Sequence, residues 1–329
     1  MSEGRRTRPI AGGRGEVGQA TAVPGIAPVA RRAAARRSSP LEDERVLGWV
    51  LLAPTILLLG FFIAYPFVKG VWLSLTNTTV GNPGVFVGFK NFVKIWNDSI
   101  FQRAAYNTFV YTGLATVGKL VLGMWLALLL NRHFRGKRLV RASMLLPFIV
   151  PTVLSTYAWK WMFDPTFSVL NWTLYHAGVI QTRIGWLTDP TLALLCIIIV
   201  NVWRGMPFYA ITLLAGLQTV SPELHEAAAI DGANAWQRFW RITWPLLLPV
   251  TMVVTLFSVI QTFADFQLTY VLTGGGPANA THLFSTYAYQ IGINTGLLGE
   301  GAAASLAMFP MLFIIVVIQL WYIRRVEGA

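Results

Sequence analysis

Six apolar runs occupy most of the chain between residues 46 and 323, at 46–68, 108–130, 142–159, 191–217, 242–264 and 301–323. A helix that crosses a bilayer needs about 20 mainly apolar residues, because every backbone polar group must be satisfied within the segment. Five runs meet that length. The third is shorter and holds Pro147 and Pro151. Lys119 and Arg204 interrupt the second and fourth, which marks surfaces facing other helices or a cavity rather than lipid. The runs outweigh the alternative of two soluble domains that a chain of 329 residues permits, and so does a composition 55% hydrophobic and 12% charged. The expected fold is all-α: a polytopic membrane protein with six transmembrane helices over residues 46–329.

Basic residues set the expected orientation, since Lys and Arg favour the cytoplasmic side of short loops. With both termini cytoplasmic, the cytoplasmic segments 1–45, 131–141, 218–241 and 324–329 hold 18 Lys and Arg. The opposite loops 75–105, 164–190 and 265–300 hold 4. The net charge of +12 therefore follows from topology, and no nucleic-acid motif accompanies it. Residues 1–45 are rich in Arg, Ala, Gly and Pro without apolar periodicity, and read as a disordered basic cytoplasmic tail able to touch anionic lipid. A secretory signal is not expected, because the apolar run that follows is long enough to span and shows no cleavage site.

Between the fourth and fifth runs lies a partly polar loop, residues 221–241. Ser221 and Pro222 suit a helix start, and Glu223 and Glu226 place negative charge near its positive end. Ala227, Ala228 and Ala229 make this helix thin, able to enter a groove on another protein. Asp231 and Gly232 end it. A second helical stretch starts at Ala235, and Pro245 and Pro249 open the next apolar run.

The pattern Glu226, Ala227, Ala228, Asp231, Gly232, Ala233, Phe239, Ile242, Pro245 and Pro249 closely resembles the Glu-Ala-Ala loop of bacterial ABC-importer permease subunits. Further pieces resemble the carbohydrate-uptake branch of that family, in family order. They are Ala53 with Pro54, Tyr65 with Pro66, Gly88 to Phe92, Asn107 with Thr108, and Leu272 to Pro277. The resemblance implies the type I importer architecture in a bacterial inner membrane. It implies that Glu226, Ala227, Ala228, Asp231, Gly232 and Ala233 form the loop that couples to a separate ABC ATPase dimer. It further implies a second permease subunit, usually as a heterodimer, and an extracytoplasmic solute-binding protein. The chain itself is expected to bind no cofactor, ATP and magnesium being used by the ATPase, and to carry no catalytic residue.

Residues 113–120, GLATVGKL, mimic a phosphate-binding loop, but Leu120 stands where a Ser or Thr hydroxyl would hold magnesium. The stretch lies inside an expected span, where its glycines more naturally allow close helix packing. Cys196 is the lone cysteine and reads as a packing residue. His133, His176, His225 and His282 show no metal-ligand spacing.

A sugar needs aromatic faces and a few convergent polar groups in a mostly apolar pocket. The fourth run offers Asn201, Trp203, Arg204, Gly205 and Phe208. The fifth offers Ser258, Gln261, Thr262 and Asp265, spaced to share one helical face. By resemblance, Trp203, Gly205, Phe208, Ser258, Gln261, Thr262 and Asp265 fall at positions where maltose-transporting members contact sugar. Only Trp203, Gly205 and Ser258 keep the residue found there, so maltose itself is not implied. The alternatives are helix-to-helix polar contacts, including an Asp265–Arg204 pair. Glycerol 3-phosphate is the second candidate solute. A membrane enzyme would need clustered His, acid or Cys residues at a span end, and a channel or anchor would leave the 221–241 pattern unexplained.

Overall fold

The computed structural model describes residues 44–327. The expected tail, residues 1–45, lies outside them but for its last two. The chain falls into two compact units, residues 1–58 and 59–329. The described part of the first unit is helical and apolar all round, with Trp49 68% and Leu57 71% exposed. That is the composition of a lipid-facing helix.

The elements are helices, and the only β pairing among the described residues is two isolated bridges. Helix α1 (Glu44–Leu59) runs through a π turn at Gly60–Ala64 into α2 (Tyr65–Ser74). The turn sits just before Pro66, which has no amide hydrogen to give the preceding turn. A short α3 (Lys90–Trp96) follows. Its buried Asn91 donates to the carbonyls of Ser74 (2.8 Å) and Thr76 (2.7 Å), tying α3 to the loop after α2.

Helix α4 (Ser99–Asn131) is capped by Asp98, whose Oδ1 accepts from Ile100 N at 2.8 Å. The other oxygen accepts from the Tyr287 hydroxyl at 2.6 Å. Burial first, and then the Asp98 carboxylate, push the Tyr287 phenol well above its ordinary range.

The third run differs from a straight span. It is two helices, α5 (Lys137–Ile149) and α6 (Thr152–Met162), bent by 93°. Val150 precedes Pro151, and a residue before proline is pushed out of the helical region; its ψ is 132°. Among the described residues five helices are therefore long and apolar enough to cross a membrane, and the bent pair makes a sixth if it counts as one span.

After α7 (Val169–His176) comes α8 (Pro190–Leu217), capped by Asp189 through Thr191 N and Leu192 N. Helices α9 (Pro222–Ile230) and α10 (Ala235–Arg238) form the loop region. A second π turn, Phe239–Thr243, again just before a proline, joins α10 to α11 (Trp244–Phe263). The fifth span thus starts at Ala235 rather than at residue 242. Helices α12 (Gln267–Leu272), α13 (Phe284–Tyr289) and α14 (Leu298–Glu327) complete the chain.

Small residues bring α4 and α8 together. Ala115, Ala127, Ala193 and Ala210 are fully buried. A methyl on Gly123 would overlap Tyr209 and approach Ala210 N to 3.2 Å, and one on Gly118 would lie 2.9 Å from Val202 Cγ2. In lipid such close backbone approach gains van der Waals contact that bulkier residues forbid. Of the two glycines inside the phosphate-loop look-alike, Gly118 has this role. Gly113 faces open space. Cys196 is free and buried in the core between α4, α8 and α12, as a packing residue should be.

Candidate functional site

A cavity of about 480 Å³ opens between α4, α8, α11 and the α11–α12 link. Helix α8 contributes Asn201, Arg204, Gly205 and Phe208, spaced as one helical stripe. Helix α11 contributes Phe257, Ser258, Gln261 and Thr262. Phe148 at the end of α5 stacks on Phe208 (ring centroids 5.7 Å apart, 14° between planes), and Phe257 also packs against Phe208 at 5.7 Å. The result is a lining that combines an aromatic cluster with polar groups.

Lys119, which from sequence alone is an interruption of a span, reaches the cavity from α4. It is 3% exposed. Its ammonium donates to Asn201 Oδ1 at 3.0 Å and to Thr262 Oγ1 at 2.7 Å. Gly205 makes the path: a Cβ there would overlap the Lys119 stem at Cδ. Asn201 turns its amide nitrogen to the Tyr111 hydroxyl (2.6 Å) and to Asp265 Oδ2 (3.3 Å). The Tyr111 hydroxyl also donates to Asp265 Oδ2.

Asp265 is not on the α11 face. That helix ends at Phe263, and Asp265 lies in the link, where its Oδ1 accepts from Leu268 N at 3.3 Å in the first turn of α12. It still lines the cavity. Nor does it pair with Arg204: among the described residues no carboxylate lies within 4.0 Å of Arg204 or Lys119, and Arg204 Nε is buried without a partner.

Six of the seven candidate residues thus converge: Gly205, Phe208, Ser258, Gln261, Thr262 and Asp265. Trp203 does not line the cavity. Two positions on from Asn201, it leaves the stripe and packs edge-on against Trp159 of α6, with centroids 5.4 Å apart. Lys119, which the sequence places only on a surface turned from lipid, lines the cavity without being among the sugar-contact candidates. Tyr111, which bonds Asn201 and Asp265 without lining it, is marked by no sequence signal.

The second candidate region is residues 221–241. Ser221 accepts from Glu223 N (3.3 Å), and Pro222 opens α9. Gly232 follows the helix at φ +80°, a conformation suited to glycine, with open space where a side chain would be. Asn234 and Gln237 form a reciprocal capping box at the start of α10. No α9 residue is buried, and Ile230 is 88% exposed. The Arg238 guanidinium ties the segment together by donating to the His225 carbonyl (3.4 Å). Glu226, Ala227, Ala228, Asp231, Gly232 and Ala233 therefore sit on a short, capped element that presents itself outward.

Known proteins agree with this architecture. Residues 119–328 match the family described as binding-protein-dependent transport system inner membrane component. The trehalose/maltose transport system permease protein MalF of Thermococcus litoralis is 35% identical over 285 residues, covering 86% of this chain and 96% of that protein. The lactose transport system permease protein LacF of Rhizobium radiobacter is 37% identical, covering 78% and 86%. Among solved structures, a chain of a bacterial ABC transporter involved in importing the acidic polysaccharide alginate superposes with a TM-score of 0.74 at 26% identity, covering 85% of this chain and 95% of that one. The chain belongs to the inner membrane permease family of binding-protein-dependent ABC importers.

Proposed function

We propose that the chain is a permease subunit for sugar uptake, and that the cavity between α4, α8 and α11 is where the sugar passes. The observation that carries this reading is the cavity wall. Phe148, Phe208 and Phe257 offer aromatic rings, while Asn201, Ser258, Gln261 and Thr262 offer hydrogen-bonding groups in the same lining. Its volume falls within the roughly 300–1,000 Å³ of ordinary small-molecule sites. Relatives named for trehalose and maltose, lactose and sulfoquinovosyl glycerol, and the alginate importer, support a carbohydrate.

In this reading both termini face the cytoplasm, and α9 docks on a separate ABC ATPase. ATP binding there moves α9, and the spans change the side from which the cavity is open. A second permease subunit completes the path, and an extracytoplasmic binding protein delivers the solute. The alginate ABC transporter solved in complex with an alginate pentasaccharide-bound periplasmic protein supports that delivery step. No residue here breaks a bond; ATP and magnesium act in the partner.

Deleting the gene in its host and following uptake of labelled mono-, di- and oligosaccharides tests the reading. Loss of at least one sugar, restored by the tagged chain, is the expected result. The tagged chain should also bring down an ABC ATPase and a second permease in detergent. Unchanged uptake of every sugar and sugar derivative would overturn the sugar assignment, and purification alone would overturn the docking role of α9.

A further inference from the structure

We infer that the solute this cavity accepts is an anionic one: a hydroxyl-rich carbohydrate or polyol carrying a carboxylate, sulfonate or phosphate. The inference rests on the sugar-uptake reading and narrows it.

Three formal charges line the cavity: Lys119, Arg204 and Asp265. They are not equivalent. The Asp265 carboxylate is already engaged by three donors, the Tyr111 hydroxyl, Asn201 Nδ2 and Leu268 N. That one carboxylate lies within electrostatic reach of both cations but forms a direct ion pair with neither, so one of the two positive charges stays unbalanced. Lys119 is almost wholly buried, and its protein contacts are two neutral oxygens. Arg204 has no carboxylate within 4.0 Å among the described residues, and its Nε is buried without a partner. An excess of buried positive charge, two cations to one carboxylate, is costly, and inside a membrane protein such groups mark pathways of substrate or ion. The chain also shapes itself around the Lys119 stem, since α8 carries glycine at 205 where any side chain would collide with it. An ammonium and a planar guanidinium lining one cavity suit the oxygens of an anionic group, and Phe148, Phe208 and Phe257 suit the ring that carries it.

The test uses host cells with the gene deleted or complemented, and matched labelled probes. Galacturonate is compared with galactose, sulfoquinovose with glucose, and glycerol 3-phosphate with glycerol. These arms separate carboxylate, sulfonate and phosphate. Rates are taken at saturating probe, where capture by the binding protein no longer limits uptake. The expected result is that deletion abolishes uptake of at least one acidic probe. Lys119→Gln then lowers the restored rate about tenfold or more, as loss of a hydrogen bond to a charged group does. Arg204→Gln, at a position less buried than Lys119, gives a second reading where Lys119→Gln fails to reach the membrane at normal level. Deletion that abolishes only neutral sugars overturns the charge assignment and leaves the sugar reading standing. Acidic uptake that depends on the gene but withstands both substitutions also overturns it. Uptake of every probe unchanged by deletion overturns both readings.

Discussion

Three glycines of α4 provide a controlled test of how the second and fourth spans are held. Gly113, Gly118 and Gly123 share one helix but face different neighbours. A methyl at 113 meets nothing within 4 Å. One at 118 meets the tip of the Val202 side chain at 2.9 Å. One at 123 overlaps Tyr209 Cβ and meets backbone, Ala210 N at 3.2 Å and Met206 O at 3.3 Å. Ordinary carbon contacts lie at about 3.5–4.0 Å. The contact at 118 is with one stiff, β-branched side chain, which gives by a few tenths of an ångström at a partial cost, whereas backbone of a packed helix must move with the helix.

Each Gly→Ala change gains about 0.5–1 kcal/mol of helix propensity, and this gain is common to all three. The difference between them is then the overpacking cost, which is about 1–3 kcal/mol where backbone has to shift. The expected order of stability is therefore Gly113→Ala above wild type, Gly118→Ala near it, and Gly123→Ala below. Gly113→Ala and Gly123→Ala should differ by the full overpacking cost. Thermal unfolding of the full-length chain in detergent, followed by size-exclusion fluorescence, reads this order. The reasoning is refuted if Gly113→Ala loses as much stability as Gly123→Ala, or if Gly123→Ala is neutral.

Other substitutions probe separate parts of the fold. Gly232→Val puts a β-branched residue at φ +80°, a strain of about 1–2 kcal/mol, in a place with ample room. Normal membrane level with lost uptake is expected, and normal ATP-driven uptake would count against a coupling role for the loop. Asn91→Ala strips the carbonyls of Ser74 and Thr76 of a buried donor and should cost about 1–3 kcal/mol, seen as a lower melting temperature in detergent; an unchanged melting temperature contradicts that clamp. In the loop after α6, Asp164 Oδ1 accepts from Thr166 N (2.8 Å) and Phe167 N (2.9 Å), and these backbone bonds hold its carboxyl below the ordinary range. A lowered acid contributes above its unfolded value, and the contribution is lost only as pH falls through the folded one. Amide exchange at residues 166 and 167 should therefore lose protection below the usual carboxylate range, and not between neutrality and that range.

Much of this architecture is legible in the chain because membrane helices are specified by length and apolarity alone. The second, fourth and sixth spans appear where the runs predict them, the second and sixth extended by polar ends that composition does not count. The third departs because a local rule overrides the apolar run: the geometry of Val150 before Pro151 turns the chain by 93°. The fifth begins earlier because the polar turn Ala235–Arg238 continues without a break through a π turn. Resemblance to a family supplies the meaning of residues 226–233, while capping chemistry at Ser221, Asp231 and Gly232 supplies their shape.

The cavity is only half legible. Spacing on a single helix finds Ser258, Gln261 and Thr262, and the same rule, applied to α8, separates Trp203 from Asn201, Arg204, Gly205 and Phe208. Lys119 is out of reach of that rule. Its partners lie 82 and 143 residues away in sequence, and a lone lysine in an apolar run signals a surface turned from lipid without naming the groups it faces. What distinguishes it is a relation between helices: a long cation on α4 opposite a missing side chain on α8. A membrane span tolerates an ionisable residue when a partner or a passing solute compensates it. Here both hydrogen-bond partners, Asn201 and Thr262, are neutral, and the one carboxylate lining the cavity is committed to Tyr111, Asn201 and the start of α12. That single carboxylate is shared electrostatically between Lys119 and Arg204 without a direct ion pair to either, and if the remaining positive charge is balanced by what enters the cavity, as proposed, replacing Lys119 should be felt first in the choice of solute.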